Sequence, residues 1–312
     1  MFAKKHLLEI VFLLTLVVLM TGCERDPQVR GLREIGRYEE EPTIEVVRAD
    51  GSTDEVKFEE YITGVVAGEM KPDWPAAAYG AQAILARSFA LRYMEDNNTR
   101  TISGAYQYAQ EYKPEKITEE VADGVAGTRG EAVVYDDRFI KGWFHASAGG
   151  QTTTARVGIG YDRQEPGYTK TVQSPDQEAP EDVQNWTVSF SEEEVQTAVE
   201  ELGFSVGTVE EIEIIDTDRT GRIINLRIRG TEETAEIKGA NFRNEIGSQE
   251  LKSTMVTEIE KNEGSFSFAG SGFGHGVGMS QWGAYSLANE GKTPEEIVEH
   301  YFADIELVKA YD

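Results

Sequence analysis

The chain has 312 residues, 39% of them hydrophobic and 10% aromatic, enough for a real core in one or two domains of roughly 100–200 residues each. Against 30 basic side chains stand 56 acidic ones, a net charge of −26, which excludes the basic footprint that nucleic acid needs and simple electrostatic adhesion to anionic lipid. The single cysteine excludes an intrachain disulfide and any multi-thiolate zinc site.

The start, "MFAKKHLLEIVFLLTLVVLMTGC", sets Lys4 and Lys5 ahead of an apolar run that only Glu9 interrupts, then small residues before Cys23. That is the form of a secretory signal over residues 1–23. Its ending resembles a bacterial lipobox, with Met20 where leucine is usual, so Cys23 is a candidate lipidation site. An uncleaved membrane anchor is the second reading, and both put the rest of the chain outside the cytoplasmic membrane, attached to it. Residues 24–42 are polar and aperiodic and read as a tether.

Strands are predicted over 43–48 and 55–58, either side of an "ADGS" turn. "EEYITGVVAGEM" predicts one or two helical turns. "KPDWPAAAYGAQAILARSFALRYMEDN" is the clearest helix, with Asp73 to cap it and Pro75 in its first turn. Ala76, Gly80, Ala83 and Arg87 fall on one stripe of that helix. "EAVVYDDRFIKGWFHAS" predicts a hairpin turning at Asp136–Asp137 and ending in a loop of small residues.

Residues 158–187 read as a long irregular connection. "SEEEVQTAVEELGF" is an amphipathic helix with Ser191 and Glu194 as a capping box. "VEEIEIIDTDRTGRIINLRIRG" is two strands, "KGANFRNEIG" a short helix, and "GSFSFAGSG" a strand leading into the glycine loop "GFGHGVGMSQWGA". Helices follow in "SQWGAYSLANEG", ending at Gly291, and in "TPEEIVEHYF", capped by Thr293. The expected class is α+β: mixed sheets and hairpins with a few helices around a substrate groove, not alternating βαβ units. Residues 43–312 form the main domain, with a smaller subdomain around 188–262.

Of the four histidines, His6 belongs to the signal and His300 lies on a helix, where a structural role is expected. His145 in "WFHASAGG" and His275 in "GFGHGVG" sit in glycine- or small-residue loops, where backbone N–H groups can approach a ligand closely. Glu69 follows a nearly charge-free stretch. It is either a solvent-facing carboxylate at a helix end or a carboxyl whose pKa burial raises, fit for general acid work. Composition does not choose between them.

The ordered motifs "YITGVVAGEM", "AAAYGAQAILARSFAL", "TRGEAVVYD…HASAGGQT" and "GFGHGVGMSQWGA" closely resemble the SpoIID/LytB family, that of stage II sporulation protein D and the amidase enhancer. The resemblance covers roughly residues 43–305. It implies peptidoglycan chemistry: a lytic transglycosylase that cleaves between N-acetylmuramic acid and N-acetylglucosamine. Glu69 matches the family's catalytic glutamate, Arg87 its arginine, and His145 and His275 its two loop histidines. Arg87, His145, Ser147, His275, Ser280 and Gln281 are then expected to contact the substrate. The implied partners are glycan strands and a cell-wall amidase; the alternative function is a non-catalytic amidase enhancer or wall-binding lipoprotein. Some relatives carry cysteines near the "HASAGG" loop. Here Ser147 and Ala148 stand there, so no cysteine–histidine metal site is expected, and no cofactor.

Overall fold

Helices and strands interleave along the chain and assemble into several small sheets, an α+β fold. The computed structural model describes residues 38–48, 50–104 and 110–312, with the two-residue strand Arg33–Glu34 ahead of them. The signal segment, Cys23, His6 and most of the tether lie outside the described residues. Among the described residues no helix is long and apolar enough to cross a membrane. Residues Glu34–Asp312 make one compact unit.

β1 (Thr43–Val47) pairs antiparallel with β2 (Thr53–Lys57). The turn between them is set by Asp50, whose carboxylate accepts from the Ser52 amide at 2.9 Å and hydroxyl at 2.6 Å. α1 (Phe58–Glu69) follows at once. The sequence predicts one or two turns here, yet the helix runs 12 residues, because Phe58, Tyr61, Ile62, Val65 and Val66 form a continuous buried stripe. Its glycines mark close approach rather than a break. A Cβ on Gly64 would meet the Tyr112 ring at 2.4 Å, and one on Gly68 the Glu111 carbonyl oxygen at 2.2 Å.

α2 (Ala76–Asn97) is the predicted long helix, 22 residues, ending at Asn98 in the left-handed region. Its start differs from expectation. Pro75, not Asp73, is the cap residue, and Asp73 is itself left-handed at φ 65°. Tyr79 does the work a cap was expected to do: its hydroxyl donates to the Lys71 carbonyl and accepts from the Trp74 amide, both at 2.9 Å. The small stripe is real, since a Cβ on Gly80 would lie 2.7 Å from Pro294.

β3 (Thr101–Ser103) lies parallel to β1. α3 (Glu119–Ala126), capped by Thr118, packs on α2. The predicted hairpin is β4 (Glu131–Tyr135) and β5 (Arg138–Phe139), turning through Asp136 and Asp137, both at positive φ as a type I′ turn requires. β6 (Phe144–His145) follows.

The second half builds a hydrophobic cluster that includes Phe190, Val199, Ile228, Phe242 and Phe268 and draws every buried member from residues 186–268. β7 (Trp186–Ser191) leads into α4 (Glu192–Glu201) through the predicted Ser191–Glu194 capping box. β8 (Val209–Thr217), β9 (Ile223–Gly230) and β10 (Thr234–Lys238) form a meander ahead of α5 (Gly239–Gly247). β11 (Val256–Asn262) and β12 (Ser265–Gly270) complete a sheet with β7. After the glycine loop, β13 (Met279–Ser280) pairs in parallel with β6. α6 (Gln281–Asn289) stops two residues short of Gly291, and α7 (Pro294–Tyr301) has the predicted Thr293 cap. β14 (Glu306–Lys309) returns antiparallel to β4.

Arg87 ties these pieces together. It is wholly buried, its Nε and Nη2 donating to the Glu59 carboxylate at 3.0 Å each and its Nη1 to the Glu131 carbonyl at 2.6 Å. The Gly130 amide and the Tyr311 hydroxyl also donate to Glu59, at 3.0 and 2.5 Å. Burial pushes the Glu59 carboxyl up, but the Arg87 charge and these donors outweigh it and hold it below its ordinary value. Removing one partner of a buried pair strands the other charge, at about 3–5 kcal/mol. Arg87→Met is therefore expected to lower the free energy of unfolding by about that amount in urea; a loss below about 1 kcal/mol, the scale of an exposed pair, would contradict the assignment.

Candidate active site

Glu69 is the last residue of α1, where the helix dipole disfavours a negative charge. Its Oε1 accepts from the Glu111 amide at 2.8 Å. That contact exists because Gly68 lets the Glu111 backbone approach. Burial raises the carboxyl from 4.5 to about 7, and the nearby Glu111 charge adds to this against the Glu111 amide and Lys113. A carboxyl poised there can give up a proton near neutral pH and take one back.

Its surroundings are polar and unevenly satisfied. The Gln281 amide donates to the Glu69 carbonyl at 3.2 Å and stands 3.5 Å from Gln82 Oε1. Gln82 Nε2, Tyr61 Oη and Gln110 Oε1 are buried without a partner among the described residues. After burial, the Glu69 charge is the largest influence pushing the Tyr61 hydroxyl up. Buried polar atoms left unpaired cost about 1–3 kcal/mol each. Concavities of 470 Å³ beside Lys57 and 310 Å³ beside Glu194 are not lined by Glu69.

The glycine loop is a scaffold for two neutral histidines. Gly272, Gly274, Gly276 and Gly278 all take positive φ, from 72° to 107°, a run of backbone that side-chain-bearing residues rarely adopt. Val277 joins the histidines: its amide donates to His275 Nδ1 at 3.0 Å, and its carbonyl lies 3.2 Å from His145 Nδ1. A carbonyl only accepts, so His145 carries its proton on Nδ1. The rings are 5.4 Å apart. Burial, then the charge of Arg222, takes His145 down to about 3. Burial and the neighbouring His145 likewise take His275 well below its ordinary value.

Arg222 lies under this loop, fully buried, with Nη2 donating to the Ala148 carbonyl at 2.6 Å. A Cβ on Gly276 would lie 2.5 Å from its guanidinium carbon.

Four of the expected substrate contacts bond within the fold. Arg87 pairs with Glu59, ten residues before Glu69 on the same helix, which is about 15 Å along the axis. His145, Ser147 and Ser280 are no more than 5% exposed, and their partners lie within the fold. Ser147 and Ser280 both donate to Asp176, at 2.9 Å each, and Ser174 does so at 2.6 Å. Ser280 also caps α6, accepting from the Gly283 amide. Of the expected set, Gln281 reaches Glu69 and His275 keeps partial exposure. Asp176 was not foreseen: it lies in the irregular connection, and its partners are 29 and 104 residues away. Among the described residues no three His, Cys, Asp or Glu side chains group closely enough to hold a metal ion.

Residues 49–135 match the family model described as stage II sporulation protein, and residues 168–278 match a domain of unknown function, DUF8618. Stage II sporulation protein D of Bacillus amyloliquefaciens is 31% identical over 279 residues, covering 83% of this chain and 76% of that protein. An uncharacterized protein of Brachyspira hyodysenteriae is 31% identical over 259 residues, covering 81% and 67%. The amidase enhancer of Bacillus subtilis is 25% identical over 287 residues, covering 77% of this chain and 39% of that one.

The raised carboxyl has a stability signature. Folded Glu69 titrates at about 7 against an ordinary 4.5, so between these values the folded state binds more protons than the unfolded one. Its contribution is fully present below about 4.5 and is lost as pH rises through about 7. Urea unfolding of Glu69→Gln, which lacks the titration, is expected to gain on the wild type as pH rises from 4 to 8. A difference that does not change with pH would contradict the raised value.

Proposed function

This chain belongs to the stage II sporulation protein D family, and from that premise we propose that it is a peptidoglycan lytic transglycosylase with Glu69 as its single acid and base. What carries the proposal is the Glu69 carboxyl, at a helix C-terminus, partly exposed yet desolvated enough to stay protonated up to about pH 7. Ordinary glycosidases divide acid and base between two carboxyl groups; here one serves in turn. Glu69 gives its proton to the glycosidic oxygen, and the bond from C1 of N-acetylmuramic acid to that oxygen breaks. Positive charge develops at C1. The Glu69 carboxylate then takes the proton of the sugar's own C6 hydroxyl, whose oxygen closes on C1 as a 1,6-anhydro ring. No water is consumed.

Gln281 and the partly exposed His275 are the proposed substrate contacts. His145, Ser147, Ser280 and Arg87 serve by holding the loop and α1 in place. A second reading, stimulation of a cell-wall amidase, is favoured by the likeness to the amidase enhancer. A module that only binds has no use for a destabilised carboxyl, which is why the enzyme is preferred. The proposed place of action is the cell wall, outside the cytoplasmic membrane, with attachment through a lipid on Cys23.

Glu69→Gln keeps shape and removes the proton. General acid–base catalysis contributes about 10²–10⁴-fold, and the formation of anhydro-muramic ends on purified glycan, read by mass spectrometry, is expected to fall toward the upper end of that range. Wild-type rates in the variant would sink the proposal. An inactive wild type that instead accelerates an amidase would give the second reading its place. For the anchor, Cys23→Ser is expected to shift the protein out of the membrane fraction or leave an uncleaved precursor; unchanged fractionation with no acyl mass on the wild type would leave the plain anchor.

A further inference from the structure

Resting on that glycan-cleaving reading, we propose that Trp74, Trp282 and Tyr285 form a sugar-stacking subsite beside Glu69 for an N-acetylhexosamine ring of the strand. The three rings converge from two segments. Trp74 and Trp282 have centroids 4.8 Å apart, Trp74 and Tyr285 5.1 Å, and Trp282 and Tyr285 5.4 Å. All three are partly exposed. Both segments adjoin the end of α1. Trp74 lies in the short connection that leaves α1, and Trp282 follows Gln281, whose amide holds the Glu69 carbonyl.

The backbone that carries both tryptophans is held before any ligand arrives. The Trp74 amide donates to the Tyr79 hydroxyl, which also fastens the Lys71 carbonyl. The Trp282 amide donates to the Ala146 carbonyl at 3.0 Å, which ties it to the "HASAGG" loop. Backbone fixed in this way leaves less to order on binding.

A pyranose ring presents C–H groups on its faces and hydroxyls at its edges. The first suit the electron-rich face of an indole, and the second suit the N–H and O–H groups at the rims of Trp and Tyr. Lys71 Nζ sits 5.0 Å over the Trp282 ring, a partner of positive character that a sugar's C–H face would replace. An exposed cation–π contact is worth about 0.5–1 kcal/mol, little for an incoming sugar to replace. Anionic bilayer is a poor occupant for a chain of net charge −26. A protein partner seated here would cover the approach to the carboxyl that the proposed reaction needs.

The test uses the full chain carrying Glu69→Gln, so that ligand is bound and not consumed. The probe is a tetrasaccharide of alternating N-acetylglucosamine and N-acetylmuramic acid, followed by calorimetry and tryptophan fluorescence. Stacking on an aromatic platform is worth about 1–3 kcal/mol by alanine substitution, which is about 5–150-fold. Adding Trp282→Ala or Trp74→Ala is expected to weaken binding by at least about 10-fold. Trp282→Phe, which restores a ring, is expected to recover most of it, with circular dichroism unchanged throughout. If the parent binds and neither alanine variant weakens it, the subsite is wrong while the glycan reading stands. If the parent binds no tetrasaccharide, both fall together.

Discussion

One helix carries two glutamates in opposite electrostatic settings, and the rest of the molecule is organised around keeping them so. Glu59, in the first turn of α1, is paired with Arg87 and receives donors from Gly130 and Tyr311, and it is held ionised. Glu69, at the other end, is half-buried with the Glu111 backbone amide as a donor, and its proton is retained to about pH 7. Carboxyl groups pushed apart in this way can divide their roles: Glu59 anchors, and Glu69 is the one proposed to react. A buried group whose ionisation is disfavoured pulls against folding, so its position has to be enforced from outside. The Glu59 end of α1 supplies that enforcement by joining the helix to α2, to β4 and to the C-terminal Tyr311.

The second enforcement is the glycine loop. Its positive-φ residues let one backbone segment bond the Nδ1 atoms of both histidines through Val277 and settle on the Arg222 guanidinium. Asp176 gathers Ser147, Ser174 and Ser280 into one buried knot. The parallel pairing of β6 and β13 then delivers Gln281 to Glu69. The glycines and histidines of this motif thus act largely through position. They fix where α6 begins, and the first residue of α6, Gln281, bonds the Glu69 backbone carbonyl.

Much of the local structure was legible. The Asp136–Asp137 turn, the Ser191 and Thr293 caps, and the long α2 announce themselves within a few residues, because turn and cap chemistry is local. The length of α1 was not, since its stability comes from a buried stripe and its glycines answer to Tyr112 and Glu111, more than forty residues on. Arg87 stands on the expected stripe, but its pairing with Glu59 is not legible, for nothing in a sequence says which of 56 acidic residues a buried guanidinium will meet. Asp176 and the Trp74–Trp282 pair carried no signal at all, being contacts between distant segments. Glu69 itself was picked out by resemblance; only the folded chain supplies the physical reason for its raised proton affinity.

The claim on which the account turns is that one carboxyl is still protonated near neutral pH. Titration of side-chain carboxyl ¹³C resonances in Glu-labelled protein, wild type against Glu69→Gln, reads it directly. The account predicts one resonance that titrates at about 7 in the wild type and is missing from the variant. Wild-type glutamate resonances that have all completed their titration in the ordinary range near 4.5 would contradict it.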